Sequence, residues 1–441
     1  LARASESGEP LERLARLGEV PGYPSVRQAT AFPGGILFTV GDDCYTQVWA
    51  MDLESAEKRM LIDRAAGAFY LPSGHLLYGD CSGGVLAVEF DRRALAVVGT
   101  PTPVLTDVAG QIPALAVAQE SGDLLYVEGR GEFVQRQLVW VARDGTEEPI
   151  NVGDRGAIAV PRLSADGQRL AHQERTGEGV GIWIQDLASG AKRRIALSSS
   201  GLLRPTWSPD GRYVGYITDQ RTPRSFFQQR ADGIGPSELA LDVDDPVNDA
   251  AWSRSGSWIV YRSGRGAVRD VKAKRVGGDG AVIPIAADPD VGEFTATLSP
   301  DEEWVAYVSD RSGRPELYVR PFPEVDQAIY QVSINGGTLP VWAHSGRELF
   351  FKSGSDLMVV DVTTTPAFST SVPRALFSLD DYYVPGGIET LSGTYDISPD
   401  DSRFVLVRQL PMEVTADTNA STALVLVENF VEEVKAAFAN E

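Results

Sequence analysis

The sequence predicts an all-β protein built as a β-propeller, a ring of four-stranded antiparallel blades. Three observations carry that expectation. A short turn motif recurs along nearly the whole chain, its spacing is that of a propeller blade, and Gly 44 and Pro 27 among 441 residues favour many turns over long helices. A chain of this length also exceeds the size at which one compact core usually stops growing, which leaves several domains or a repeat array.

Aligned on the turn, the repeats read "FPGGILFTV" (32–40), "LPSGHLLYG" (71–79), "QESGDLLYV" (119–127), "LSADGQRLAH" (163–172) and "WSPDGRYVGY" (207–216). The series continues with "WSRSGSWIVY" (252–261), "LSPDEEWVAY" (298–307), "WAHSGRELFF" (342–351) and "ISPDDSRFVL" (397–406). From Gly122 the turn returns at Gly167, Gly211, Gly256, Glu302 and Gly346, a period of 44–46 residues. Gly takes the positive φ such a turn requires, and Asp or Ser can hydrogen-bond its own backbone. Each unit then reads as four strands. Around the turn near Asp301, "FTATLS" and "WVAYVSD" are the first two, "ELYVRPF" the third and "AIYQVSI" the fourth. Small and β-branched residues before the turn are expected to line the inner wall, and Trp207, Trp252 and Trp342 to pack between neighbouring sheets. A single blade cannot bury both faces, whereas a closed ring buries both and leaves only short edges.

The ends bear on closure. "LARASESGEPLERLAR" looks like the outer pair of a blade whose inner pair is "GTYDISPDDSRFVLVRQ". The expectation is one propeller over residues 1–429, eight complete blades plus one composite, closed by pairing Leu11 to Leu17 with strands from the last 50 residues. Eight blades, or two smaller propellers, are the alternatives. In "NFVEEVKAAFANE", Phe430, Val431, Val434 and Phe438 fall on one side at helical spacing, predicting a docked helix over 430–441.

A formal charge of -21 and a pI near 4.6 argue against a nucleic-acid partner, which needs a basic footprint. No apolar run approaches the roughly 20 residues needed to cross a bilayer.

Several phrases go beyond a generic propeller. "LPSGHLLY" (71–78), "LVWVARDGTEEPI" (138–150), "ELYVRPFPE" (316–324) and "GRELFF" (346–351) followed by "LMVVDV" (357–362) resemble TolB-like propeller repeats found C-terminal to bacterial membrane-anchored serine/threonine protein kinases. The resemblance implies a bacterial, extracytoplasmic module, periplasmic or secreted, that senses or binds a protein or small-molecule ligand. It also implies a membrane anchor and a kinase domain upstream. The kinase motifs themselves, a Gly-rich loop with its strand Lys, His-Arg-Asp and Asp-Phe-Gly, do not occur in these residues.

Chemistry-bearing residues are sparse. The three histidines, His75, His172 and His344, form no metal-ligand spacing, and no Gly-x-Ser-x-Gly elbow occurs. "DVDDP" places Asp242, Asp244 and Asp245 where they could hold calcium through carboxylate oxygens, although a solvated linker is the plainer reading. Loops after the second strands bring Asp42, Asp43, Asp80, Asp219, Arg221, Arg265, Asp310 and Arg311 to one rim, the expected binding face, with simple turn-capping as the alternative. Cys44 and Cys81 occupy matching loops of adjacent units and are expected to face one another, as a disulfide or as two thiols. The reading is a non-catalytic sensor or scaffold propeller without a cofactor. A propeller lyase or hydrolase using acidic residues in a central funnel, and a structural or assembly module, are the alternatives.

Overall fold

The computed structural model describes residues 2–3, 12–13 and 26–438, apart from 41–45, 80–83, 107, 109–113, 119–120, 129–134, 152–154, 177–178, 199–201, 219–223, 266–267, 278–279, 385–393 and 411–422. The described strands form nine antiparallel sheets, with one helix at Phe430–Phe438. The chain divides into two compact units, Val134–Met412 and Leu1–Phe133 with Glu413–Glu441.

The unit Val134–Met412 holds six sheets. Blade one combines Arg136–Ala142 and Glu147–Pro149 with Asp396–Ile397 and Arg403–Gln409. Blades two to six follow in order, each starting with its inner strand: Ala157–Leu163, Leu202–Trp207, Val247–Trp252, Glu293–Leu298 and Thr338–Trp342. Six apolar clusters each join two consecutive blades. Leu138 and Val407 meet Ile158 and Leu170 between blades one and two. Trp207 and Phe227 meet Ile182 and Ile184 next, and then Phe226 meets Ile259. Val260 meets Val305, Leu317 meets Trp342, and Phe350 meets Phe404 of blade one again. Six interfaces among six blades close a ring, so every blade buries both faces.

The inner pair of the closing blade is the expected one, Asp396–Ile397 with Arg403–Gln409, and in this unit its outer pair is Arg136–Ala142 with Glu147–Pro149. The register runs from Arg136 opposite Gln409 to Ala142 opposite Arg403. Of Leu11 to Leu17 only Glu12–Arg13 is described, and it pairs with Ala2–Arg3. The physical reason is apolar fit: Leu138, Val139, Val141, Val405 and Val407 are all buried, giving the composite blade two apolar faces. At one of its borders the Arg143 guanidinium binds the Glu348 carboxylate of blade six through two hydrogen bonds.

The recurring turn is a structural device. Ser208 Oγ donates to Asp210 Oδ1 at 2.6 Å and accepts the Tyr213 N–H at 2.9 Å, and Ser398, Asp400 and Arg403 repeat the pattern. The Ser398 hydroxyl, with the Ser402 hydroxyl and N–H, holds the Asp400 carboxyl down at about 2. Gly167, Gly211, Gly256 and Gly346 take positive φ there, and Glu302 and Asp401 do so without being glycine. Both reach back to the preceding blade: Glu302 accepts the Ser255 N–H at 2.7 Å, and Asp401 accepts the N–H groups of His344 and Ser345. The strained backbone is offset by capping a neighbour's turn.

In the other unit, seven strands from Val26–Phe32 to Ala96–Leu105 pair consecutively, the long strand Lys58–Tyr70 serving two four-stranded segments. A three-stranded sheet joins Leu115–Val117, Leu124–Glu128 and Ala423–Val427. The helix buries Phe430, Val431 and Val434 against Leu71, Leu77, Val85 and Leu124, and Phe438 lies 4.6 Å from the His75 ring. A Cβ at Gly122 would meet Val431 Cγ2 at 2.4 Å, so the turn below the helix needs glycine. Val434→Asp places a charge at a fully buried position, and a loss of about 3 kcal/mol or more is expected for this unit. Faster amide exchange in His75–Gly79 and Val85–Asp91 would show it; unchanged exchange would mean that the helix contributes little.

Candidate functional site

Counting back from the turn serine, or from Ala343 in blade six, gives all inner strands a common frame. Two residues earlier stand Arg162, Thr206, Ala251, Thr297, Val341 and Asp396; four residues earlier, blades three to five carry Arg204, Asp249 and Thr295. All nine line one cavity of about 160 Å³ to which every inner strand contributes. The convergence depends on a bulge. Register slips between Ala159 and Arg162, Leu203 and Thr206, Val247 and Asp249, Glu293 and Ala296, and Thr338 and Val341. Val160, Arg204 and Leu339 adopt φ of 53°, 57° and 58° there. Bulges re-aim side chains, and positive φ at a β-branched residue is costly, so the repeated strain marks a fixed inner wall.

Two charged groups of the wall, Arg162 and Asp396, are held by backbone. Arg162 Nη1 donates to the carbonyls of Pro161 at 3.2 Å and Tyr395 at 2.9 Å. The two Asp396 oxygens accept the N–H groups of Leu163 and Ile397, both at 2.9 Å. Trp207 Nε1 donates to the Arg162 carbonyl at 3.0 Å, fixing the same residue from blade three. In blade four Asp249 lies opposite Arg262, which is buried and also lines the cavity. Three arginines against two aspartates leave the wall one net positive charge.

Glu293 begins the inner strand of blade five and is only 3% exposed. Burial pushes its carboxyl up to about 7; Asp270 and Asp288 add to the rise, while a backbone hydrogen bond at Asp288 and the Arg311 charge oppose it. Among the described residues its Oε2 has no hydrogen-bond partner.

Asp42, Asp43, Asp80, Asp219, Arg221, Cys44 and Cys81 lie outside the described residues, and for Arg265 only the strand backbone is described. Asp310 and Arg311 are placed beside Glu293 in blade five. Asp310 Oδ1 accepts the Gly292 N–H at 2.8 Å, and the Arg311 guanidinium stands 5.9 Å from the Tyr318 ring centre. In the acidic linker, Lys272 Nζ pairs with Asp245 at 2.9 Å, and Lys274 Nζ binds the Asp242 carbonyl. Among the described residues no group of three His, Cys, Asp or Glu side chains is placed to hold a metal ion. His172 is fully buried, and burial pushes it down to about 3. Sequence reasoning expected small and β-branched residues on the inner wall and passed over Arg162, Arg204, Asp249 and Asp396. The available signal was a charge at a position where the sister repeats carry Thr, Ala or Val.

No family model matches the chain. A TolB structure from Agrobacterium tumefaciens is 18% identical and matches 63% of this chain and 99% of that one at a TM-score of 0.49. TolB from Acinetobacter baumannii matches 87% of this chain and 80% of that one, at 13% identity and a TM-score of 0.38. The neighbours are TolB and other β-propellers. Oligogalacturonate lyase from Vibrio parahaemolyticus matches 66% of this chain and 87% of that one, at 14% identity and a TM-score of 0.33. In sequence, the Bacillus subtilis (strain 168) protein named "Uncharacterized peptidase YuxL" is 24% identical over 110 residues, 24% of this chain. That match spans 17% of the relative's length.

Proposed function

We propose that the chain is a non-catalytic binding module of a bacterial extracytoplasmic signalling protein, and that it takes its ligand in the axial cavity of the six-bladed ring. The observation that supports this is the convergence of six inner strands on one polar cavity, two of whose charged groups, Arg162 and Asp396, are held by backbone hydrogen bonds. Rigid side chains on a strand scaffold bind without first losing rotamer freedom. In this reading the rim residues Asp310 and Arg311, in the loop after Trp304–Ser309, would meet a partner. The kinase-associated setting comes from the resemblance of the repeats, and no helix among the described residues is long and apolar enough to cross a membrane.

Thr206→Phe fills the cavity without removing a charge. Ligands found by thermal shift against the parent chain should lose their effect in this variant, and equal shifts in both would place binding elsewhere. The enzyme alternative finds support in one group, Glu293, whose carboxyl takes up its proton near neutrality as a general acid or base needs. Turnover of an oligosaccharide or peptide substrate that Glu293→Gln abolishes would replace the binding reading.

A further inference from the structure

We propose that the axial cavity recognises a carboxylate group, an inference that rests on reading the cavity as the binding site. The wall carries Arg162, Arg204 and Arg262 against Asp249 and Asp396, a local excess of positive charge in a chain of formal charge -21. Such a reversal of sign inside an acidic protein makes the cavity the place where an anion gains most.

Arg162 and Asp396 are not equally placed to meet a ligand. Asp396 has an oxygen on the Leu163 N–H and the other on the Ile397 N–H, so its carboxylate is engaged in holding blade two against blade one. A cation drawn to Asp396 would compete with both bonds. Arg162 is held through Nη1 by two carbonyls, an arrangement that holds the guanidinium in place and leaves its other nitrogens outside these two bonds. A guanidinium has five N–H donors in a rigid fork that matches the two oxygens of a carboxylate. Fixed in advance, it binds such a group at little further cost in side-chain entropy.

Size narrows the ligand further. A cavity of about 160 Å³ is smaller than the roughly 300–1,000 Å³ of clefts that enclose drug-sized molecules. It admits a small free acid or the carboxylate end of a longer chain. Thr206 and Thr297 add hydroxyl donors at the same depth as Arg162.

Matched probes test this. Succinate is compared with succinamide, and the tripeptide Ala-Ala-Ala with its C-terminal amide, by titration calorimetry and thermal shift on the full chain. The acids are expected to bind and the amides not, with succinate the better probe for a free acid and the tripeptide for a chain end. Arg162→Gln and Arg204→Gln should each weaken the acids by about tenfold or more, with folding checked by circular dichroism. Equal binding of acid and amide, or undiminished binding of the acids by the Arg162→Gln/Arg204→Gln double variant, overturns the carboxylate assignment. If amides or putrescine bind and Thr206→Phe blocks them, the cavity remains the site and only its ligand class falls. If no probe binds, or Thr206→Phe binds as well as the parent, both readings fall.

Discussion

Phe404→Ala is expected to destabilise the six-bladed unit by about 3–5 kcal/mol, the usual cost of truncating a buried aromatic. At roughly 2–4 °C per kcal/mol for a domain of this size, its melting temperature should fall by about 6–20 °C. Phe404 sits on the strand that closes the ring and is fully buried. Its ring packs edge-on against Phe350 of blade six, with centroids 5.0 Å apart, and against Tyr395 of its own blade at 6.1 Å. Truncation opens a cavity in the apolar cluster that joins the two ends of the ring, between side chains that strands hold in place and that collapse poorly. The change is readable in the full chain, because seven of the eight tryptophans lie between Trp140 and Trp342, so intrinsic fluorescence reports chiefly on this unit. Leu197→Ala, at a half-exposed position, serves as the control and should stay within about 0.5 kcal/mol of the parent. A melting temperature for Phe404→Ala equal to that of the control would mean that the border between blades six and one does not carry the ring.

The strand pattern was legible in the sequence because one turn is repeated, and each copy needs the same residues for the same reason. Ser208, Asp210 and Gly211 are called for by a hydroxyl that bridges the turn, a carboxylate that accepts from it, and a positive φ. The helix was legible as well, since Phe430, Val431 and Val434 can share a buried face only at helical spacing. Pairing of distant strands was not. Nothing local in Arg136–Ala142 states that its partner is Arg403–Gln409 rather than another outer pair, because both carry the alternation that any inner strand accepts. The cavity residues stayed hidden for a related cause. A bulge shifts the inner strands by a residue, and which side chain then faces the axis depends on backbone angles at Val160, Arg204 and Leu339 that composition does not reveal. In the acidic linker the partners come from far along the chain: Lys272 Nζ pairs with the Asp245 carboxylate and Lys274 Nζ binds the Asp242 backbone carbonyl, some thirty residues away in sequence.

Glu293 should make the stability of the six-bladed unit depend on pH in the direction opposite to an ordinary paired carboxylate. Its proton is held up to about 7 in the folded chain, against 4.5 for an ordinary glutamate, because burial penalises the charged form and Asp270 and Asp288 repel it. Between these two values the folded chain binds more protons than the unfolded one, so stability falls as pH rises through that window. Below it both states are protonated and the contribution is complete. Above it both are ionised, and the fold must keep a charge at a position only 3% exposed. The difference amounts to about 3 kcal/mol, or roughly 6–12 °C in melting temperature between pH 4.5 and pH 8. Glu293→Gln keeps the shape and removes the titration, so its melting temperature should change less across the window and exceed the parent's at pH 8. Arg311 opposes the rise, and Arg311→Gln should therefore move the parent's transition to higher pH. The comparison of slopes isolates Glu293 from the other carboxylates, which titrate in all three proteins alike. If the parent and Glu293→Gln lose stability with the same slope from pH 4.5 to 8, the buried carboxylate is not the group that titrates there.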